Sequence, residues 1–266
     1  MPSAVRRYRC MMAIQARTSL VYRANYLMNV VAVIFQVYLL RILWTAVYQG
    51  RPEVAGVSLG MMITYATFAN VQTWVTSPWE FSLIPPRVRE GQIAGDLTRP
   101  MSFTTQIHAR QVGRALATAP FVVATLPLAV LVGGGRAPAS LAAALGYVLS
   151  MVLAYLVSAM LSVLVGMIAF WTMETTGIFV IYRVVFMFFS GAIVPLWFMP
   201  DGLRLVAEAL PFQAVTYVPL AIYLGHAATA DVPRLLALQA LWVVLLWLGG
   251  RLLWSRAMHR VVIQGG

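Results

Sequence analysis

The chain is divided into long apolar runs that carry almost no charge, and these runs limit what it can fold into. A helix that crosses a bilayer needs about 20 predominantly apolar residues. Six runs meet this requirement, at residues 26–48, 58–77, 112–132, 139–170, 177–198 and 235–253. The fourth run contains no charged residue and is predicted as one long, tilted helix. The pattern predicts an all-α integral membrane protein with six transmembrane helices in a single domain over residues 1–266.

The composition argues against a soluble enzyme. Hydrophobic residues make up 61% of the chain and charged residues 10%, whereas soluble domains carry about 25% charged residues. All 19 basic residues are arginine, and the absence of lysine excludes a P-loop, whose lysine contacts the nucleotide phosphates. The 8 acidic residues and 3 histidines are scattered, so the sequence predicts no catalytic residues and no metal site. Any nucleotide hydrolysis is expected on another chain.

The arginines are distributed unevenly between the two sides of the predicted spans. Thirteen fall on the side of the termini, four on the opposite side and two within spans. Loops rich in arginine face the cytoplasm, so both termini are predicted to be cytoplasmic. A further crossing at residues 205–224 would move the last three arginines outside. Residues 199–234 are therefore predicted to form extracellular re-entrant helices before the last span, and the excess positive charge requires no nucleic-acid partner.

Residues 1–23 combine apolar side chains and arginines on different helical faces. This pattern predicts a cytoplasmic interfacial helix whose arginines lie near anionic lipid headgroups. A disordered basic tail is the alternative. The single cysteine, Cys10, cannot form a disulfide within the chain.

The cytoplasmic segment 78–111 is neither a span nor a short turn. Pro85 and Pro86 suit a helix start, Gly91 and Gly95 suit tight turns, and Pro100 ends the local structure. The segment predicts a compact, charged knob that offers a surface to a cytoplasmic partner. An ordinary solvated loop is the alternative. The candidate contact residues are Arg87, Arg89, Glu90, Gly91, Ile93, Asp96, Leu97 and Pro100.

The end of the fifth span carries residues that disturb a helix. Glycine allows close helix approach and proline removes a backbone donor. Non-helical backbone at membrane depth is found only where it is buried in protein or lines a water-filled cavity. The region is therefore a candidate outer gate or exit, and a rigid packed cap is the alternative. The candidate gate residues are Ser190, Gly191, Pro195, Pro200 and Pro211.

Arg183 is an intramembrane charge near the start of the fifth span. Such a residue is a candidate functional group by default. Its long side chain could equally reach the inner headgroups or pair with Glu174. Glu174 itself could touch a partner or cap the fifth helix, since an acidic side chain suits a helix N-terminus.

Four segments resemble the ABC-2 family of permeases, the membrane subunits of type-2 ABC exporters. Residues 89–100 (REGQIAGDLTRP) resemble the first cytoplasmic loop of that family, which forms a coupling helix that docks onto an ATPase. Residues 189–200 (FSGAIVPLWFMP) resemble its fifth-span exit motif, and residues 209–225 (ALPFQAVTYVPLAIYLG) its extracellular re-entrant helices. Residues 254–266 (WSRAMHRVVIQGG) look like the ending of a subgroup encoded with an ATPase and a second permease.

The resemblance implies a multi-pass subunit of the bacterial cytoplasmic membrane that forms half of a dimeric translocation path. Its partners would be an ABC-type ATPase subunit and a second permease, identical or related, with membrane lipid around them. The chain would hold no cofactor, and ATP and Mg would bind the ATPase. One departure is visible at residues 94–97 (AGDL), where the family is often more hydrophobic.

The long apolar fourth helix and the candidate exit favour export of an amphipathic or lipid-like substrate or drug. A polysaccharide cargo and an import role stay open. A proton-driven secondary transporter is an alternative, although that class usually carries carboxylates inside its spans, and none lies mid-span here. An integral-membrane lipid-modifying enzyme or scaffold is another, and it would need a cluster of polar catalytic residues at one interface.

Overall fold

Helices account for most of the residues that the computed structural model describes, which are residues 4–21, 23–76, 82–172 and 174–264. The α-helices are α1 (Ala4–Val21), α2 (Arg23–Tyr48), α3 (Leu59–Thr76), α4 (Ile84–Arg89), α5 (Ile93–Leu97), α6 (Phe103–Gly133), α7 (Leu141–Gly166), α8 (Thr176–Phe189), α9 (Asp201–Glu208), α10 (Tyr217–Tyr223) and α11 (Val232–Gln264). Short 3-10 turns lie at Met167–Phe170, Leu196–Phe198, Pro211–Ala214 and Thr229–Asp231.

Within the described residues, four helical stretches are long and apolar enough to cross a membrane: Ala24–Tyr48, Phe103–Gly133, Leu141–Phe170 and Thr229–His259. The predicted second and fifth spans form shorter helices, since α3 has 18 residues and α8 has 14. At 1.5 Å per residue, α8 is roughly 21 Å long and shorter than the hydrocarbon core. The structure supports an all-α membrane protein, and the count of six spans stays a prediction.

The helix α3 differs from the four longer stretches because it is enclosed by protein. It packs against α2 and α6 and buries polar side chains, among them Thr64, Thr67 and Gln72, beside Tyr65 and Val71. These polar residues lower its hydropathy but face neighbouring helices rather than lipid. By contrast, α2 exposes large apolar side chains such as Phe35 along its length.

The fifth predicted span, residues 177–198, is not a helix over its whole length. The helix α8 ends at Phe189, and Gly191 follows with φ +80, a left-handed conformation that glycine adopts without strain. The chain then continues through the short turns and helices from Leu196 to Tyr223. We call residues 190–224 the short-helix segment.

The charge-free run after residue 137 forms the helix α7. Its first turn is capped by Ser140, whose hydroxyl accepts a hydrogen bond from the Ala143 amide at 3.1 Å. The helix continues without proline to Gly166 and ends in a 3-10 turn. By contrast, α6 contains Pro120 and Pro127.

A two-stranded hairpin between α2 and α3 was absent from the sequence prediction. Strands β1 (Glu53–Val54) and β2 (Val57–Ser58) pair antiparallel. Ala55 and Gly56 between them both have positive φ, at 51 and 74, which fits a type I′ turn. Strands of two residues leave no alternating pattern in the sequence, and for that reason this small addition to the all-α class was missed.

The first helix lies against α6. A Cβ atom on Gly113 would overlap the Met12 carbonyl oxygen, so the glycine allows the two helices to touch. Arg6, Arg9 and Arg17 are exposed on the other side of α1. Residues 1–3 and 22 of the predicted interfacial helix lie outside the described residues, and its place at a membrane surface stays a prediction.

Candidate functional site

A compact knob of residues 82–101 connects to the N-terminus of α6. Pro85 lies in the first turn of α4, where a proline needs no backbone donor. Gly91 has φ +68, and this turn allows α5 to begin two residues later. Ser102 then caps α6 by accepting a hydrogen bond from the Thr105 amide. Residues 78–81 of the predicted coupling segment lie outside the described residues.

Asp96 lies inside the knob, with 2% of its side chain exposed. It forms an ion pair with Arg87, and its carboxylate lies 3.1 Å from the Arg99 guanidinium and 3.7 Å from that of Arg110. The Gln106 side chain donates to its backbone carbonyl at 2.7 Å. A buried carboxylate with several cationic neighbours holds them together, so Asp96 fastens the knob to the start of α6.

The apolar side of the knob rests on the ends of three helices. Its buried residues Ile84 and Ile93 belong to one cluster with Phe103 of α6, Met167 at the end of α7 and Ala257 of α11. Burial of an isoleucine side chain contributes about 1.5–3 kcal/mol. The knob is therefore a packed body attached to the helix ends and not a solvated loop.

The eight residues that the sequence predicts as partner contacts fall into two groups. Arg89, Glu90, Gly91, Leu97 and Pro100 are exposed, and Leu97 presents 37% of its surface.

The other three residues face inward. Ile93 and Asp96 are buried and Arg87 is mostly covered. In this structure these three hold the knob in shape rather than offering it to a partner. They are covered because one face of each short helix turns toward the bundle, and their part in coupling to an ATPase stays a prediction.

The predicted gate residues lie in the short-helix segment at the other end of α7. The Ser190 carbonyl accepts a hydrogen bond from the Tyr217 amide at 3.0 Å. The Gly191 carbonyl accepts one from the Tyr65 hydroxyl at 2.8 Å. Ser190, Gly191, Pro195 and Pro211 are buried, whereas Pro200 is exposed at the start of α9. Four of the five therefore belong to a packed region, and Pro200 lies at its edge.

Two buried glutamines that sequence reasoning missed hold the irregular backbone of this segment. The Gln72 amide donates to the Thr216 carbonyl at 3.0 Å. Gln239 donates to the Ala214 carbonyl at 2.7 Å and accepts a hydrogen bond from the Ser150 hydroxyl at 2.9 Å. Carbonyl groups outside regular helix need such donors where water is absent. The available signal was a glutamine inside each predicted span, beside several threonines in the second run and among apolar residues in the sixth.

Arg183 lies in the middle of α8, on a face exposed together with Val180, Ile181 and Val184. Glu174 precedes the same helix, and its carboxylate accepts a hydrogen bond from the Thr176 amide at 2.7 Å. Hydrogen bonds from the Thr176 side chain and backbone hold the pKa of Glu174 below its usual value. Of the two roles considered for Glu174, the structure shows the cap.

Across the described ranges, no group of three histidine, cysteine, aspartate or glutamate residues is placed so that it could hold a metal ion. The knob and the short-helix segment, which both pack on α7, are the candidate functional sites.

Comparison with known protein families gives one match. Residues 32–265 match the model of a family described as ABC-2 family transporter protein. The match includes the knob, the short-helix segment and all of α7. No curated protein and no solved structure matches the chain.

Proposed function

The chain belongs to the ABC-2 transporter family, and we propose on this basis that it is the permease subunit of a bacterial ABC transporter. In this proposal it spans the cytoplasmic membrane with both termini inside and forms half of a dimeric translocation path. The second half is an identical or related permease. A separate ABC-type ATPase binds ATP and Mg and drives transport.

The knob is the proposed docking surface for that ATPase. The observation that carries the proposal is its attachment, because Asp96 bridges arginines of the knob and of α6. The apolar cluster beneath it joins the knob to α6, α7 and α11. A body held in this way moves the ends of the helices when it is pushed, whereas a loose loop would absorb the displacement. Its exposed residues Arg89, Glu90 and Leu97 would make the contact.

The short-helix segment is the proposed exit. Its backbone leaves the helical conformation at Gly191 and is held by hydrogen bonds from side chains of neighbouring helices. The apolar surfaces that α2 and α8 leave exposed suit contact with a second permease or with lipid. We propose export of an amphipathic or lipid-like substrate.

The docking assignment is tested by site-specific cross-linking in the native host. A photoreactive amino acid at Leu97 is expected to form an adduct with a polypeptide that is also labelled by a photoreactive ATP analogue. The matched control places the same group at Leu205, an exposed leucine of α9 in the short-helix segment, and should not capture that polypeptide. Equal capture from both positions, or an adduct at Leu97 that binds no ATP, would contradict the proposal.

A further inference from the structure

The helix α7 contacts both candidate sites directly. Its C-terminal end meets the knob. The short-helix segment packs along it from Gly146, which faces Ile222, to Val157 and Leu161, which share a cluster with Ala214 and Val215. A glycine lies at each contact: Gly166 faces the knob, and Gly146 faces the short-helix segment.

At the knob end, the backbones approach closely. A Cβ atom on Gly166 would overlap the Ser82 hydroxyl and lie 3.2 Å from the Ile84 Cβ atom. The following residue, Met167, is fully buried and belongs to the same apolar cluster as Ile84. A shift of α4 therefore cannot occur without displacing the end of α7 or opening a cavity between them.

At the other end, α7 packs on α10. A Cβ atom on Gly146 would lie 3.0 Å from Cγ2 of Ile222. The next residue, Tyr147, places its ring against that of Tyr223 with a centroid distance of 5.1 Å. One turn further on, the Ser150 hydroxyl donates to Gln239. One face of this part of the helix is therefore packed on the short-helix segment and its support, whereas Leu145 and Val148 on the opposite face are exposed.

The helix between the two glycines is suited to carry a displacement. The glycines are 20 residues apart in sequence (146 to 166), which corresponds to roughly 30 Å of helix and to the thickness of the hydrocarbon core. The segment contains no proline, and proline is among the usual causes of a helix kink. The helix α11 also contacts both sites, through Ala257 in the apolar cluster of the knob and through Gln239, which donates to the Ala214 carbonyl. The route through α3 passes residues 77–81, outside the described part of the chain.

We propose that α7 is a rigid strut that couples the knob to the short-helix segment, with Gly166 and Gly146 as positioning residues at its two contacts. The inference rests on the proposed function for the roles of the two sites, but the coupling itself is a property of this chain alone. Because coupling between two sites is reciprocal, a change at either end must alter the stability of the other.

Hydrogen exchange of the purified full chain in lipid nanodiscs tests the strut. Gly166→Ala is expected to speed exchange both in the two helices of the knob, residues 84–97, and in α10, residues 217–223, by roughly five-fold or more at the remote end. Gly146→Ala should give the mirror-image result. Gly250→Ala is the matched control, because it lies in α11 with nothing within 4 Å of the added atom, and it should leave both segments unchanged.

If each variant alters only its own end, the proposal is wrong. Should the alanine variants fail to fold, Ile84→Val and Ile222→Val remove one methylene at each contact instead. Distant sites that act independently have additive effects on unfolding. Non-additive effects in the double variant support the strut, and additive effects overturn it.

The exchange experiment uses no ATPase, nucleotide or substrate, so its outcome is separate from that of the cross-linking. Coupled ends in a chain that captures no ATPase would refute the proposed function and leave the strut intact. If the two ends of α7 are uncoupled in a chain that does capture an ATPase, the strut is refuted and the proposed function is not affected.

Discussion

The side chain of Asp96 shows how strongly one residue can determine the character of a segment. In the sequence it is one of several charges in an exposed-looking stretch, yet its carboxylate is buried among Arg87, Arg99 and Arg110. A buried charge is stable only with such partners. The arginines of the knob are consequently part of its internal structure as well as of its surface.

Asp96→Asn is expected to destabilise the knob by about 3–5 kcal/mol, since the mostly covered guanidinium groups of Arg87 and Arg110 lose their counter-charge. The matched control is Asp201→Asn. Asp201 is also paired with an arginine, Arg204, but its side chain is 97% exposed, and exposed pairs contribute about 0–1 kcal/mol. Thermal unfolding of the two variants in detergent measures the difference. A loss no larger for Asp96→Asn than for Asp201→Asn would contradict the buried role.

At the scale of elements, the turn between α4 and α5 depends on a glycine. Gly91 has φ +68, and a Cβ atom added there would meet nothing within 4 Å. The requirement is therefore one of backbone conformation and not of space. Two residues after it, α5 begins and turns Ile93 into the apolar cluster.

Gly91→Ala is expected to cost about 1–2 kcal/mol, because a left-handed conformation brings the Cβ atom too close to the backbone. Gly95→Ala is the control, since Gly95 lies in α5 with no positive φ and no neighbour within 4 Å of the added atom. There alanine should be neutral or stabilising by up to about 1 kcal/mol. Hydrogen exchange of residues 84–97 should be faster in Gly91→Ala and unchanged or slower in Gly95→Ala. The same exchange rate in both variants would refute the role of the turn.

At the scale of the whole molecule, the two candidate sites lie at opposite ends of a bundle whose longest helices can cross a membrane. The knob end carries the exposed arginines of α1 and of the knob, whereas the other end carries the hairpin and the short-helix segment. Arginine-rich ends face the cytoplasm. The proposed orientation therefore places the knob inside and the short-helix segment outside.

Accessibility of single cysteines tests this orientation in intact cells. In a Cys10→Ser background, which removes the one cysteine of the chain, a membrane-impermeant maleimide added outside should label Leu205→Cys. It should label Leu97→Cys only after the cells are permeabilised. Both leucines are exposed, so a difference in labelling reports the side of the membrane. Outside labelling of Leu97→Cys in intact cells would reverse the orientation.

Several features of the protein could be read from the sequence. Its membrane character, the position of the knob and the break near Gly191 all depend on composition or on the conformational preferences of neighbouring residues, which are properties of short stretches of chain. The resemblance to ABC-2 permeases, carried by four such stretches, is confirmed by the family match over residues 32–265.

Other features were decided only by the tertiary structure. Sequence reasoning did not show that Asp96 and Ile93 face inward, or that Gln72 and Gln239 hold the short-helix segment. The bond from Ser150 to Gln239 joins residues 89 positions apart, and no local pattern encodes it. Hydrophobicity determines which segments enter the membrane, but burial of a polar group requires a specific partner, and that partner is supplied only when distant helices pack.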